Sequence, residues 1–451
     1  MSIHSRILAI FLLLLISIQP GNAQTIKDTT KKISGWSLHF QTTVIGQKHS
    51  GFKSAYRGIN SLADSVEPIA VSQTATLFIG RKLWKNAAII VNPEVAGGKG
   101  LSSAVGVAGA LNGETYRIGD PKPEVYIARA YLQQHIPLGK PSYEWQNDDV
   151  NQVAVLVPTS RITISAGKFA ISDFFDDNAY AKDPRSQFFN WSVWANGAWD
   201  YPANTRGYTE GLVVELVKPS YAIRVSTVAV PRIANFHLME YNSNAHSESI
   251  ELQHALHFGK RNGTIRLLAT GAWSKAPYYK DGINAIHNQD TFLLNVFRGI
   301  SENTQYGGHK YGLGLNIDQE LTQNLSFFCR LGWNDGQYAS WAFTEIDRTL
   351  SAGLSMKGTP WKRPNDVCGI ANALNGISKE HREFLAAGGY GFIIGDGQLN
   401  YGHENIVETY YNVVLTKFLQ LSFDYQFVSH PGYNKDRGPV HVFALRGHIF
   451  L

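Results

Sequence analysis

From Trp36 the chain alternates, with Trp36, Leu38, Phe40, Thr42 and Val44 on one side and Ser37, His39, Gln41 and Thr43 on the other. A period of two is the repeat of an extended strand with one apolar and one polar face. The pattern returns from Ser249, where Ile250, Leu252, Leu256 and Phe258 oppose Glu251, Gln253 and His257, and His254 interrupts the apolar side. Tyr311, Leu313, Leu315 and Ile317 alternate with glycines, Asn316 and Asp318; Leu325, Phe327, Cys329, Leu331 and Trp333 alternate with Ser326, Phe328, Arg330 and Gly332. Glycines on the polar face leave room beside it. Further strands are expected over 73–83, 87–95, 125–136, 161–169, 211–217, 221–228, 264–273, 349–357, 384–394, 405–416, 419–428 and 440–451. The total is about 16, an even number that suits a closed antiparallel barrel.

The connections alternate as well. Short turns at 218–220, 259–262, 320–323 and 417–418 trade places with long segments at 46–72, 96–124, 170–210, 230–248 and 274–309. Outer-membrane barrels have this asymmetry, with short periplasmic turns, long external loops and both termini in the periplasm. Two connections, 137–160 and 358–383, should be short and are not, so they contain small helices or the count is off by a hairpin. Phe443, Leu445, Gly447, Ile449 and Leu451 carry a mostly apolar face to the last residue. A large secreted β-sandwich also alternates and stays open as the alternative. A propeller would repeat every roughly 40–50 residues, and no such repeat is found.

Before the first strand, Arg6 precedes an apolar run over 7–18, then Pro20 and the small residues Gly21, Asn22 and Ala23. This reads as a secretory signal over 1–23, cut after Ala23, followed by a short periplasmic segment over 24–35 and a single barrel domain over 36–451. No later stretch reaches the roughly 20 apolar residues of a membrane helix, so an integral protein would have to cross as a barrel. Lys and Arg total 41 against 36 Asp and Glu, a net +5, which is too little for a nucleic-acid partner. Cys329 and Cys368 are too few for a disulfide scaffold; one bridge or two thiols are both open, and two thiols are favoured.

Candidate chemistry gathers in 170–210, which holds Asp173, Asp176, Asp177, Asp183, Arg185, Asp200 and Arg206 beside Phe188, Trp191, Trp194, Trp199 and Tyr201. A sugar presents hydroxyls at its rim and C–H groups on its faces, so a channel that selects it needs charged or amide groups together with aromatic rings. So many tryptophans do not lie easily in water; folding into the lumen as a constriction is favoured over a subunit interface or a self-contained cap. Glu94, Arg129, Arg330 and Asp424 fall on polar faces by alternation and would line the same lumen. Opposed acids and bases set a transverse field that suits neutral polar solutes better than ions. Asp173, Asp176 and Asp177 offer oxygen ligands, but the order of an EF-hand is absent and no metal is expected. His254 and His257, like His441 and His448, have odd separations and face opposite sides of their strands. With no nucleophile elbow, no His-Glu-x-x-His and no phosphate loop, neither an enzyme nor a cofactor is expected. A plugged active transporter would need a larger barrel and a plug domain.

Several motifs carry a resemblance. They include Gly167-Lys168-Phe169, Asp173-Phe174-Phe175-Asp176-Asp177-Asn178, Asp183-Pro184-Arg185, Asn190-Trp191, Gly197-Ala198-Trp199-Asp200-Tyr201-Pro202 and Thr205-Arg206-Gly207-Tyr208. Asn92-Pro93-Glu94, Gly332-Trp333-Asn334-Asp335-Gly336, Glu380-His381-Arg382, Gly395-Asp396-Gly397 and Pro431-Gly432-Tyr433-Asn434 follow the same order. Together they resemble the carbohydrate-selective outer-membrane porin family of OprB type over nearly the whole mature chain. The resemblance implies a 16-stranded barrel and passive diffusion of monosaccharides or short oligosaccharides. The expected partners are carbohydrate solutes and outer-membrane lipid, with monomer and homotrimer both open. A general porin without sugar preference, and a loop-closed barrel that binds or adheres at the surface, are the alternatives.

Overall fold

The computed structural model describes residues 35–118 and 122–451; the expected signal segment 1–23 and residues 24–34 lie outside them. Neighbouring strands pair antiparallel in chain order: β1 (Trp36–His49), β2 (Ala70–Lys82), β3 (Ala87–Gly98), β4 (Glu124–Pro137), β5 (Arg161–Phe169), β6 (Thr209–Val217), β7 (Tyr221–Val228) and β8 (His246–Phe258). They continue as β9 (Arg261–Ser274), β10 (Gly308–Glu320), β11 (Leu325–Asn334), β12 (Arg348–Gly358), β13 (Arg363–Gly376), β14 (Glu404–Val414), β15 (Leu419–Ser429) and β16 (Val440–Phe450). Pairing of β16 with β1, from Gln41 opposite Phe450 to His49 opposite Val442, closes the sheet and leaves no edge. Among the described residues no helix is long and apolar enough to cross a membrane.

The two faces settle which kind of β protein this is. Leu38, Leu313, Phe423 and Phe443 point outward and are 65%, 60%, 58% and 56% exposed. Thr43, Thr76, Glu251, Arg330 and Arg446 point inward and are buried. A sandwich would bury its apolar faces; here the apolar band is on the outside, as a hydrocarbon surround requires.

One expected strand is misplaced. Residues 384–394 are not a strand, because Lys379–Ala386 is a helix whose N-cap Ser378 accepts the His381 N–H at 3.0 Å. The thirteenth strand is instead β13, inside what reads as a long connection. Its outer face carries Asn372 between Ile370 and Leu374, and its inner face carries Ala371 and Ala373, so polarity scarcely alternates. With β13 in place, 359–362 is a short turn and the loops fall at one end: L1 (50–69), L2 (99–123), L3 (170–208), L4 (229–245), L5 (275–307), L6 (335–347), L7 (377–403) and L8 (430–439). At the turn end, 138–160 remains long because it folds as a hairpin, Tyr143–Gln146 against Val155–Pro158. Cys329 and Cys368 are free thiols.

Candidate permeation site

L3 crosses the inside of the barrel. The Asp176 N–H donates to Glu251 of β8 at 2.7 Å, Asn178 Nδ2 to Asn316 of β10 at 2.8 Å, the Phe189 N–H to Glu408 of β14 at 2.5 Å and Asn190 Nδ2 to Gln426 of β15 at 3.0 Å. Arg446 of β16 donates to the carbonyls of Pro184 and Gln187 at 2.7 and 2.8 Å. The wall makes room where the loop passes: a Cβ on Gly332 would lie 2.0 Å from Asn196 Oδ1, and one on Gly314 2.5 Å from Asn196 Nδ2. A side chain at either position would force the Asn196 amide to move.

On one wall the loop meets a charged cluster. Arg185 donates from Nε to Glu114 at 3.0 Å, from Nη2 to Glu94 at 3.2 Å and from Nη1 to the Thr76 hydroxyl at 3.2 Å. Glu94 also accepts from the Tyr126 and Tyr208 hydroxyls at 2.6 and 2.9 Å. Beside it Arg129 grips Asp173 with two bonds of 2.7 Å and lies over the Tyr208 ring at 5.4 Å. A bulge allows both Tyr126 and Arg129 to face inward: Asn92 is opposite Arg129 while Pro93 is opposite Ile127, so Ala128 is the extra residue. Burial weighs against charge on Arg185, but Glu114 and Glu94 outweigh it and hold the guanidinium's pKa well above its usual value.

The neighbouring carboxylates diverge. Asp176 accepts two bonds from Arg330 Nε, both 3.0 Å, and one from Asn316 at 2.6 Å, whereas Asp177 accepts from Lys182 at 2.6 Å. With Asp173 held by Arg129, the three aspartates serve three different cations and do not converge on a common point. Arg206 sits at the rim, paired with Glu124 and stacked 4.1 Å over Tyr126.

The other sequence-selected residues are the loop's own core. Trp191 is fully buried, Trp199 and Tyr201 nearly so, and Tyr201 stacks on Phe343 of L6 at 4.8 Å. Asp200 accepts the N–H groups of Trp341, Ala342, Phe343 and Thr344 at 2.8, 3.1, 2.7 and 3.2 Å and so fastens L6 to L3. These aromatics have no face open to a solute; they anchor the loop. Thr76, Tyr126 and Tyr208 complete the cluster and were recoverable from alternation or from their place in the motifs, whereas nothing in the sequence marks Glu114. Phe78, Arg129, Asp173, Arg185, Trp194 and Tyr208 line a cavity of about 290 Å³ beside the loop.

A closed barrel with an apolar exterior, a polar interior and an inward third loop is an outer-membrane channel of the porin class. A family model described as the carbohydrate-selective porin, OprB family, matches residues 74–451. The chain belongs to that family, which is one of channels in the outer membrane. Among solved structures it is similar to the high-pH structure of OprB from Pseudomonas putida, at 16% identity and a TM-score of 0.66 over 92% of this chain and 94% of that one. The low-pH structure of the same protein aligns at 13% identity and a TM-score of 0.47, over 92% and 93%. The outer-membrane channel DcaP of Acinetobacter baumannii aligns at 9% identity and 0.48, over 92% and 97%. No curated protein matches the sequence.

Proposed function

We propose that the protein passes monosaccharides or short oligosaccharides by passive diffusion, selecting them beside L3, and catalyses no reaction. The observation that carries this reading is the cavity in which Arg129 and Arg185 stand with Asp173 and Glu114, with Phe78, Trp194 and Tyr208 in its wall and Glu94 behind Arg185. A neutral polyol finds donors and acceptors together there, while an ion of either sign meets its own charge. At about 290 Å³ the space sits at the bottom of the roughly 300–1,000 Å³ range of small-molecule sites, which favours one sugar ring at a time. The selecting residues are Glu94, Arg129, Asp173 and Arg185, with Asp176 and Asp177 across the loop and Arg206 at the entrance. Trp191, Trp199, Asp200 and Tyr201 act by holding the loop in place. A monomer or a homo-oligomer serves this reading equally. Titration of sugars against single-channel current in a planar bilayer tests it: saturable block by particular sugars supports the reading, and a current indifferent to every sugar overturns it.

A further inference from the structure

The long connection at the turn end, 138–160, does more than join two strands. Its tip is a compact turn in which Asp149 and Gln152 exchange backbone bonds of 3.2 and 3.0 Å, Asp149 Oδ1 accepts the Val150 N–H at 2.7 Å, and Asn151 is left-handed at φ 57°. That stability is local, but the tip's other contacts are with the inner wall of the barrel. Asn92 Nδ2 of β3 donates to Asn151 Oδ1 at 2.6 Å, and Ser37 Oγ of β1 donates to the Asp149 carbonyl at 3.3 Å. His39 Nε2 and Asp148 Oδ1 are 3.2 Å apart. Val153, 3% exposed, packs where a Cβ on inward-facing Gly80 would lie 2.7 Å from it. The tip therefore enters the barrel from the periplasmic end. Val150 and Asn151 line the same cavity as Arg129, Asp173 and Arg185.

We propose that residues 148–153 form a second constriction, on the periplasmic side, that floors the solute cavity beneath L3 and limits release of the solute into the periplasm. The inference rests on the reading that a sugar passes beside L3. A solute held by the L3 cluster must pass Asn151 to leave, and the Asn92 bond keeps that amide in the path. The side chain of Val150, 42% exposed, presents an apolar face at the same level, suited to the C–H side of a sugar ring.

The test uses the full-length mature protein in planar bilayers, with Asn151→Cys placed in a Cys329→Ser, Cys368→Ser background. A cationic methanethiosulfonate reagent added from the periplasmic side should cut the open current by about half or more, and leave the background without Asn151→Cys unaffected. A second variant, with 148–152 replaced by a Gly-Ser turn, should raise ion conductance about twofold and speed escape of a blocking sugar toward the periplasm. Heat-modifiable migration on gels confirms that each variant is a folded barrel. Unchanged current in the folded, fully labelled cysteine variant, or equal conductance in the shortened one, overturns the second constriction. The ion-current arms do not depend on sugar: a wild-type channel blocked by no sugar would sink the carbohydrate reading while the current changes still decided the turn's role.

Discussion

Arg185 is the residue on which the L3 site turns, because it joins Glu94 to Glu114. Removing one partner of a buried ion pair costs about 3–5 kcal/mol, since the remaining charges stay desolvated. Arg185→Ala should therefore lower the urea midpoint and weaken sugar block at least tenfold. Lys218→Ala, which removes a 2.6 Å bond to Ser160 in a periplasmic turn, should change block less than twofold. Equal effects would take the L3 cluster out of the mechanism. A second residue makes the external loops sensitive to pH. Glu345 of L6, 2% exposed, accepts the N–H groups of Ile393 and Ile394 of L7, both at 2.8 Å. Burial pushes its pKa up, and those two bonds with Lys310 pull it only partly back, to about 8. The unfolded value is about 4.3, so the folded state holds the proton more tightly. The stability this confers is complete below about pH 4 and is lost as pH rises through 8. Amide exchange at Ile393 and Ile394 should accelerate more between pH 7 and 9 in the wild type than in Glu345→Gln, which keeps an acceptor but does not titrate. Parallel pH profiles in the two proteins would contradict this. At this scale the sequence was partly legible. Alternation placed Glu94 and Arg129 on the inner wall, and composition marked the loop that carries Asp173 and Arg185. It could not separate Trp191 and Tyr201, which pack on Phe343, from rings that face a solute, because that depends on where L6 comes to rest.

Among the elements, L3 owes its position to the strands it crosses as much as to its own sequence. Gly332 and Gly314 lie where Asn196 passes, and a methyl group on Gly332 would collide with its amide. Gly332→Ala should shift L3, reduce thermal stability by an amount in the 1–3 kcal/mol range of overpacked cores, and change single-channel conductance. A variant with wild-type melting temperature and current would show that the wall does not position the loop. Most of the barrel was readable from period-two alternation because its apolar side faces lipid, and the polar side faces the lumen, along nearly every strand. β13 escaped because Asn372 faces outward and Ala371 and Ala373 inward, so the contrast that reveals a strand is missing. The amphipathic stretch around Phe384 read as a strand because Phe384 and Leu385 are buried, but they belong to a capped helix packed within the loops. The hairpin in 138–160 was similarly hidden: nothing in its spacing shows that a turn-end connection folds back into the barrel.

The barrel of residues 35–451 is coated with apolar side chains and crossed inside by its own third loop, and that build explains a composition with few charges and many glycines and aromatic residues. Charges are few because most of each strand's outer face meets hydrocarbon, and those inside are paired, either between adjacent strands, as with Arg224 between Glu215 and Glu251 at 2.9 and 3.0 Å, or between wall and L3, as with Arg330 and Asp176 at 3.0 Å. Paired charges leave little net field along the axis, a condition for passing neutral hydroxylated solutes in preference to salts. The direct test is single-channel current through the refolded mature protein in a planar bilayer, with mono- and disaccharides titrated on each side. The account predicts a small open current that particular monosaccharides reduce saturably, with disaccharides binding more weakly because the cavity accepts one ring. An open current that no sugar alters would make the protein a general porin, and no current from a folded barrel would make it a closed surface-binding protein; either would contradict selective sugar diffusion.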